Sequence, residues 1–316
     1  MKIVWIGCHS EGLAAFRRLL ESGRRVERFI TLDDGAFSRR SAGTRDYEEL
    51  CRAYGVPVSF VSSIKTEEAY QAVREAAPDL LVVLGWSEIL PERLLELPSI
   101  GAAGAHASLL PHGRGSAPVN WALIRGEAGG GNSLMWLDKE VDRGEIIDQV
   151  PFPITVYDTC KTLYDKVSDA NAEMILRLVE RLEAGQGTVL HKRNETTEPL
   201  LPRRRPADGL LDWDQSARRV YDFIRALTRP YPGAFTALDG KRYFVWSASL
   251  LPGEEPHPRP GEVLGSVYSP LEDACGIQVA CRDGSVVLHE LEDGEGRLLR
   301  GAALSGAGLA GIFEEG

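Results

Sequence analysis

The first half of the chain alternates short apolar strands with helical repeats, and this rhythm limits the fold more than any other feature. Residues 3–6 and 80–84 are continuous apolar runs, the pattern of strands covered on both faces of a parallel sheet. Between them Leu13, Phe16, Leu19 and Leu20 recur at helical spacing and stop near Gly23. A second strand is expected at 26–31, a helix at 46–54, a short strand opened by its proline at 57–61 and a helix at 66–77. A βαβ rhythm of this kind predicts a doubly wound α/β sheet, with ligands beyond the carboxyl ends of the strands. The turn after the first strand reads Gly7-Cys8-His9-Ser10-Glu11-Gly12. It lacks both the G-x-G-x-x-G spacing of a dinucleotide site and the G-K-[ST] of a phosphate loop.

The second half changes character. Residues 151–187 contain a long helical repeat carried by Leu163, Val167, Ala170, Ile175, Leu178 and Leu182. The Pro- and Arg-rich stretch 201–209 then has the composition of a linker, and its three arginines read as solvated. A helix at 214–227 follows, closed by Pro230, Pro232 and Gly233. Short strands are expected at 234–238, 242–248, 261–267, 276–281 and 285–291, the signature of a small β-rich domain. The expected division is 1–200 and 207–316.

Charge narrows the function. With 36 Lys and Arg against 46 Asp and Glu, the net charge is -10. Gripping a phosphate backbone needs the opposite balance, so a nucleic-acid partner is not expected. Arg39 and Arg40 are the only basic pair between residues 33 and 44, where a tRNA enzyme would present a broader basic face. The five cysteines are scattered and form no C-x-x-C pair, so neither a disulfide framework nor a metal site is expected. No apolar stretch approaches the ~18 residues of a membrane span. The reading is a soluble cytoplasmic protein, with a homodimer left open.

Two loops carry the chemistry. The first, His106-Ala107-Ser108-Leu109-Leu110-Pro111-His112-Gly113-Arg114-Gly115-Ser116-Ala117-Pro118, follows an apolar segment at 100–105 that ends a strand. Its prolines and glycines make it a rigid loop. A histidine at such a strand end faces the ligand crevice. The second, residues 137–147, joins strands at 133–137 and 145–150, with Asp142 and Gly144 at the turn. Taken alone, His9, His112, His191, His257 and His289 read as packing or surface histidines.

The pattern H-x-S-L-L-P-x-x-R-G-x-A-P, followed by Val141-Asp142-Arg143-Gly144-Glu145-Ile146, resembles the signature of enzymes that use 10-formyltetrahydrofolate. These include methionyl-tRNA formyltransferase, the sugar N-formyltransferases and the hydrolase domain of formyltetrahydrofolate dehydrogenase. Residues 158–166 and 224–235 are similar to the same family. The resemblance implies a Rossmann-like formyltransferase domain followed by an OB-like barrel. It implies that His106 and Asp142 are catalytic: formyl transfer needs a base for the amine and stabilisation of an oxyanion, and a carboxylate fixes the tautomer of a histidine. It places the pterin of the folate co-substrate beside Trp86, Ile89 and Leu90 at a strand end, with Ser108 and with Lys139, Glu140 and Val141 on the second loop. His9, Ser10, Arg114 and Gly115 are implied on the acceptor side.

One position departs from the family. The transferases carry an asparagine two residues before the histidine, as oxyanion donor, where this chain has Gly104. Loss of one such donor costs about 2.7–4 kcal/mol of transition-state stabilisation. Asn120 and Asn132 are candidate substitutes. The hydrolase domain shares this departure, along with the Asn120-Trp121 pair and Trp136. The expected activity is formyl transfer to a small-molecule amine, an amino sugar nucleotide or amino-acid-like metabolite. The alternatives are hydrolysis of the donor or an altered one-carbon transfer, then methionyl-tRNA as acceptor, then a folate-binding homologue without catalysis.

Overall fold

The computed structural model describes residues 1–38, 43–187, 196–251, 257 and 259–314. Arg39, Arg40 and His191 lie outside the described residues. In chain order the first elements are β1 (Ile3–Ile6), α1 (Leu13–Glu21), β2 (Val26–Leu32), α2 (Asp34–Phe37), α3 (Asp46–Tyr54), β3 (Val58–Val61) and α4 (Glu67–Ala76). Next come β4 (Leu80–Val83), α5 (Glu92–Leu95), β5 (Gly101–His106), α6 (Pro118–Ile124), β6 (Gly129–Trp136), β7 (Ile146–Pro153) and α7 (Cys160–Glu183). The chain continues with α8 (Ala217–Leu227), β8 (Ala234–Leu238), β9 (Lys241–Leu250), β10 (Val263–Val267), β11 (Gly276–Cys281), β12 (Gly284–Asp293), β13 (Leu298–Arg300) and α9 (Gly301–Ser305). The chain forms two compact units. The first comprises Met1–Pro118, Gly129–Pro153 and Tyr164–Pro202; the second comprises Val119–Ala128, Ile154–Leu163 and the chain from Arg203 onward.

The first unit is built on a seven-stranded sheet in the order β3-β2-β1-β4-β5-β6-β7. The first five strands are parallel, β6 runs antiparallel to β5, and β7 runs antiparallel to β6. Alternation along β1 explains why its run is apolar throughout. Ile3 and Trp5 enter a core with Phe16, Phe29, Tyr47 and Leu178, whereas Val4 and Ile6 enter the opposite core with Ile64, Val73 and Leu81. Each fully buried side chain of this size contributes about 1.5–3 kcal/mol relative to exposure. Helix ends follow local chemistry: the Thr66 side chain accepts from Ala69 N at 3.2 Å to start α4, and Gly55 at φ 67° ends α3. Chain order reverses between β1 and β4, so a crevice opens beyond their carboxyl ends.

The strand after Trp136 runs further than its apolar pattern suggests. Pro151 and Pro153 lie within β7 rather than opening a helix, because β7 is an edge strand where missing N–H donors are tolerated. The glycines 129–131 are inside β6, where a Cβ on Gly131 would come within 2.4 Å of Leu109.

The second unit is a six-stranded antiparallel sheet in the order β10-β11-β12-β9-β8, with β13 on β12. Residues 312–314 make isolated bridges: Ile312 with Glu262, just before β10, and Glu314 with Ala237 in β8. Phe313 between them stacks on Trp213 at 5.6 Å. Helix α8 starts at Ser216, whose hydroxyl accepts from Arg219 N, and buries Val220, Ile224 and Leu227. Among the described residues no helix is long and apolar enough to cross a membrane.

Candidate active site

Strand β5 approaches the crevice through small residues, Gly101 to Ala105, and ends at His106. The loop beyond it is pinned by polar side chains of the two antiparallel strands. The Ser133 hydroxyl donates to Ser108 O at 2.6 Å and accepts from Leu110 N at 3.0 Å. The Gln149 amide donates to Leu110 O at 2.9 Å. Ser108 is committed to the same bracing, its hydroxyl donating to His112 O at 2.7 Å.

His106 is only 9% exposed. Its Nε2 lies 2.8 Å from the Gly113 carbonyl. A carbonyl can only accept, so Nε2 carries the hydrogen. Nδ1 therefore presents its lone pair in the neutral ring, 3.6 Å from Asp142 Oδ1. Asp142 adopts φ 53° and its Oδ2 accepts from Gly115 N at 2.9 Å. The turn needs Gly144, since a Cβ there would lie 1.6 Å from Trp136 O. The structure thus brings His106, Gly113, Gly115 and Asp142, drawn from both loops, into one cluster.

Gly104 lies on the same strand face as His106, and the space above its Cα is taken. A Cβ would meet Leu137 Cδ2 at 2.6 Å and Cγ at 3.1 Å. Neither substitute donor is available: Asn120 Nδ2 donates to Ala226 O, and Asn132 Nδ2 to Asn171 Oδ1 and Val167 O. Each amide is spent on a buried backbone or side-chain acceptor, so both asparagines are structural rather than substitute donors. The wall beside the imidazole is aliphatic.

At the end of β4, Gly85 at φ 65° accepts from the amides of Cys8 and His9, both at 3.0 Å, and so ties β1 to β4. His9 and exposed Ser10 stand at this end of β1, whereas Arg114 and Gly115 belong to the loop after His106. Trp86 is half-buried against Leu32 and Ala36, and its Nε1 is buried with no partner among the described residues. The amides of Trp86, Ser87, Ile89 and Leu90 likewise have no hydrogen-bond acceptor among the described residues. Ile89 is 60% exposed. On the second loop Lys139 and Glu140 are exposed, Val141 is 44% exposed, and Glu140 pairs with Arg143 at 3.2 Å.

The sequence reading missed a strap from Thr196 to Leu201. Leu201 N donates to Arg114 O at 2.7 Å and Ser116 N donates to Leu201 O at 3.0 Å. The Arg114 guanidinium donates to the carbonyls of Thr196 and Glu198. No periodicity marks these residues, and Leu201, taken as the start of a linker, is buried against Gly115. Farther on, Arg204 lies over the rings of Trp121 and Phe223, at 5.1 and 5.3 Å, rather than free in solvent. Glu11, just past β1, was also passed over; burial pushes its carboxyl up to about 7.

Family models place this geometry. Residues 31–179 match the formyl transferase model and residues 204–306 match the formyl transferase C-terminal domain. The methionyl-tRNA formyltransferase of Geotalea uraniireducens is 32% identical over 98% of this chain and 96% of its own length. The chain belongs to the formyl transferase family. The methionyl-tRNA formyltransferase of Symbiobacterium thermophilum is similar at 31% identity over 98% of this chain and 93% of that protein. Among solved structures, HypX from Aquifex aeolicus in complex with tetrahydrofolic acid shares the fold of this formyltransferase. It gives a TM-score of 0.66 at 20% identity over 99% of the chain, which spans about half of HypX, 48%. WlaRD, a sugar 3N-formyl transferase solved with dTDP and 5-N-formyl-THF, gives a TM-score of 0.64 at 14% identity, covering 91% of this chain and 97% of WlaRD. Both His106 and Asp142 fall within the first family match.

Proposed function

We propose that this formyltransferase moves the formyl group of 10-formyltetrahydrofolate onto the primary amine of a small-molecule acceptor, with His106 and Asp142 as the catalytic pair. The observation that carries the reading is the clamped imidazole. Nε2–H is held by Gly113 O, so Nδ1 is the nitrogen that takes the proton of the attacking amine. The imidazolium so formed has the Asp142 carboxylate beside it at 3.6 Å. In a cleft with little water, a cation beside the reacting carbon also stabilises the developing oxyanion. It has to do so without an amide side chain at position 104.

Fit to the donor rests on the backbone amides of Trp86, Ser87, Ile89 and Leu90 and the Trp86 indole, which have no partner among the described residues. A pterin has several hydrogen-bonding edges on a flat apolar body, and such a slot suits it. Lys139, Glu140 and Val141 form the facing loop in this reading. The donor supplies an activated formyl carbon, and the protein supplies orientation and proton transfer.

The acceptor has a second reading. The full-length relatives named above are methionyl-tRNA formyltransferases, which favours methionyl-tRNA. Against it stands the net charge of -10, since tRNA binding draws on a broad basic face. Hydrolysis of the donor is favoured by the aliphatic wall at Gly104. The test is turnover of 10-formyltetrahydrofolate with a panel of amino sugar nucleotides and amino acids, with methionyl-tRNA, and with no acceptor. A formylated small amine supports the proposal. Formylation of methionyl-tRNA alone replaces its acceptor, formate release without acceptor replaces it with a hydrolase, and tight tetrahydrofolate binding without turnover removes catalysis.

A further inference from the structure

His106, Ser133 and Gln149 stand side by side across three strands. The register sets His106 of β5 opposite Ser133 of β6, and Ser133 opposite Gln149 of β7. Directly opposed residues share a face of the sheet, so the three side chains form a row. The far end of that row holds the loop that leaves its near end. The Gln149 amide donates one hydrogen to Leu110 O at 2.9 Å and the other to the Ser133 hydroxyl at 2.8 Å. The Ser133 oxygen also accepts from Leu110 N at 3.0 Å and gives its own hydrogen to Ser108 O at 2.6 Å. Both amide hydrogens and the whole capacity of the hydroxyl are thereby used. Ser133 is fully buried and Leu110 is 3% exposed, so removal of one member leaves buried polar groups unmatched.

The same loop carries both groups that act on the His106–Asp142 pair. Gly113 O faces His106 Nε2 at 2.8 Å, and Gly115 N holds Asp142 Oδ2 at 2.9 Å, which leaves Oδ1 3.6 Å from Nδ1. A neutral imidazole has one ring hydrogen, and here two acceptors compete for it. The carboxylate is intrinsically the stronger, by roughly twofold over a neutral carbonyl. The hydrogen belongs on Nε2 because the carbonyl stands at hydrogen-bond distance and the carboxylate does not. If the loop slackened, the hydrogen would pass to Nδ1, facing Asp142, and Nδ1 would lose the lone pair that accepts a proton. We propose that Gln149 is a positioning residue which, through Ser133 and Leu110, keeps the hydrogen of His106 on Nε2 and so keeps Nδ1 basic. It acts through the loop and not on the reacting atoms. The kinetic consequence rests on the formyl-transfer reading above; the position of the ring hydrogen does not.

The test is nitrogen NMR of the intact protein with labelled histidine rings, at a pH where the rings are neutral, with His106→Gln assigning the signal. Wild type is expected to show the hydrogen on Nε2. Gln149→Met keeps the length of the half-buried side chain and removes its donors; the ratio of the Nδ1–H to the Nε2–H form is expected to rise by about tenfold, the worth of one hydrogen bond. Ser133→Ala removes the hub, is expected to shift the ratio the same way, and stands in should Gln149→Met fail to fold. A merely structural role for Gln149 would lower the melting temperature and leave the ring hydrogen in place. Nδ1–H in wild type, or the wild-type ratio in both variants, overturns the proposal. Calorimetric titration with tetrahydrofolate reports the formyl-transfer reading independently: wild type that does not bind sinks that reading and leaves the ring result standing, whereas binding beside an unmoved ratio sinks only the role of Gln149. In turnover of 10-formyltetrahydrofolate, Gln149→Met is expected to lower kcat by about 10- to 100-fold with KM for the folate unchanged; an unchanged kcat, or a raised KM alone, also overturns the assignment.

Discussion

Gly104→Asn tests whether Leu137 has taken the room that an asparagine side chain would need. The new Cβ would sit 2.6, 3.1 and 3.2 Å from Cδ2, Cγ and Cδ1 of Leu137. Three contacts of that length force the isobutyl group aside, within a cluster that includes Leu110, Met135 and Ile146. Overpacking of this kind costs about 1–3 kcal/mol. Leu137→Ala by itself costs about 2 kcal/mol, the low end for a Leu truncation because the side chain is only half-buried. The double variant has no clash left, so its loss should fall short of the sum by about 1–3 kcal/mol. Urea unfolding of the four proteins reads this directly, provided the slope stays constant. Activity should follow the same logic. An amide donor correctly placed is worth roughly 100- to 1000-fold in rate, and the double variant alone has space to place it. Additive stabilities, or a single Gly104→Asn variant as stable as wild type, would show that Leu137 does not occupy this space. A double variant no faster than the single one would show that the wall at Gly104 does not limit the rate.

The remaining predictions concern the proposed His106–Asp142 pair, a buried carboxyl, the thiols and the strap. His106→Ala and Asp142→Ala should each lower formyl transfer by about 100-fold or more while circular dichroism stays native, since base catalysis supplies about 100- to 10,000-fold; either variant retaining wild-type rate removes that residue from the mechanism. Burial raises the Glu11 carboxyl from 4.5 to about 7, so the folded state holds a proton that the unfolded chain releases between those values. Stability from this group is present below pH 4.5 and lost as pH rises to about 7, amounting to ~3 kcal/mol. Glu11→Gln should therefore gain on wild type by that amount between pH 4.5 and pH 8, and parallel stability curves would contradict it. Cys51, Cys160 and Cys281 are buried, which pushes their thiols up to about 12; at pH 8 a thiol reagent should modify them only as the protein unfolds. Gly115→Ala, at φ 108° with a Cβ 2.6 Å from Leu201 N and O, should detach the strap and expose its backbone to hydrogen exchange, and unchanged protection there would refute the pairing.

Sequence alone determined the layout of the sheet. Strands such as Ile3–Ile6 and Leu80–Val83 are buried on both faces, and no other arrangement hides a continuous apolar run flanked by amphipathic helices. It also singled out His106 and Asp142 through the resemblance of their two loops to the formyltransferase signature, because such a motif is a local feature. What it could not hold were facts that depend on two distant segments meeting. The filling of Gly104 by Leu137, the diversion of Asn120 and Asn132 to buried acceptors, and the strap that clamps Arg114 all join residues far apart in the chain. Pattern reading measures spacing along one segment, whereas each of these outcomes was decided by which surface the neighbouring segment happened to present.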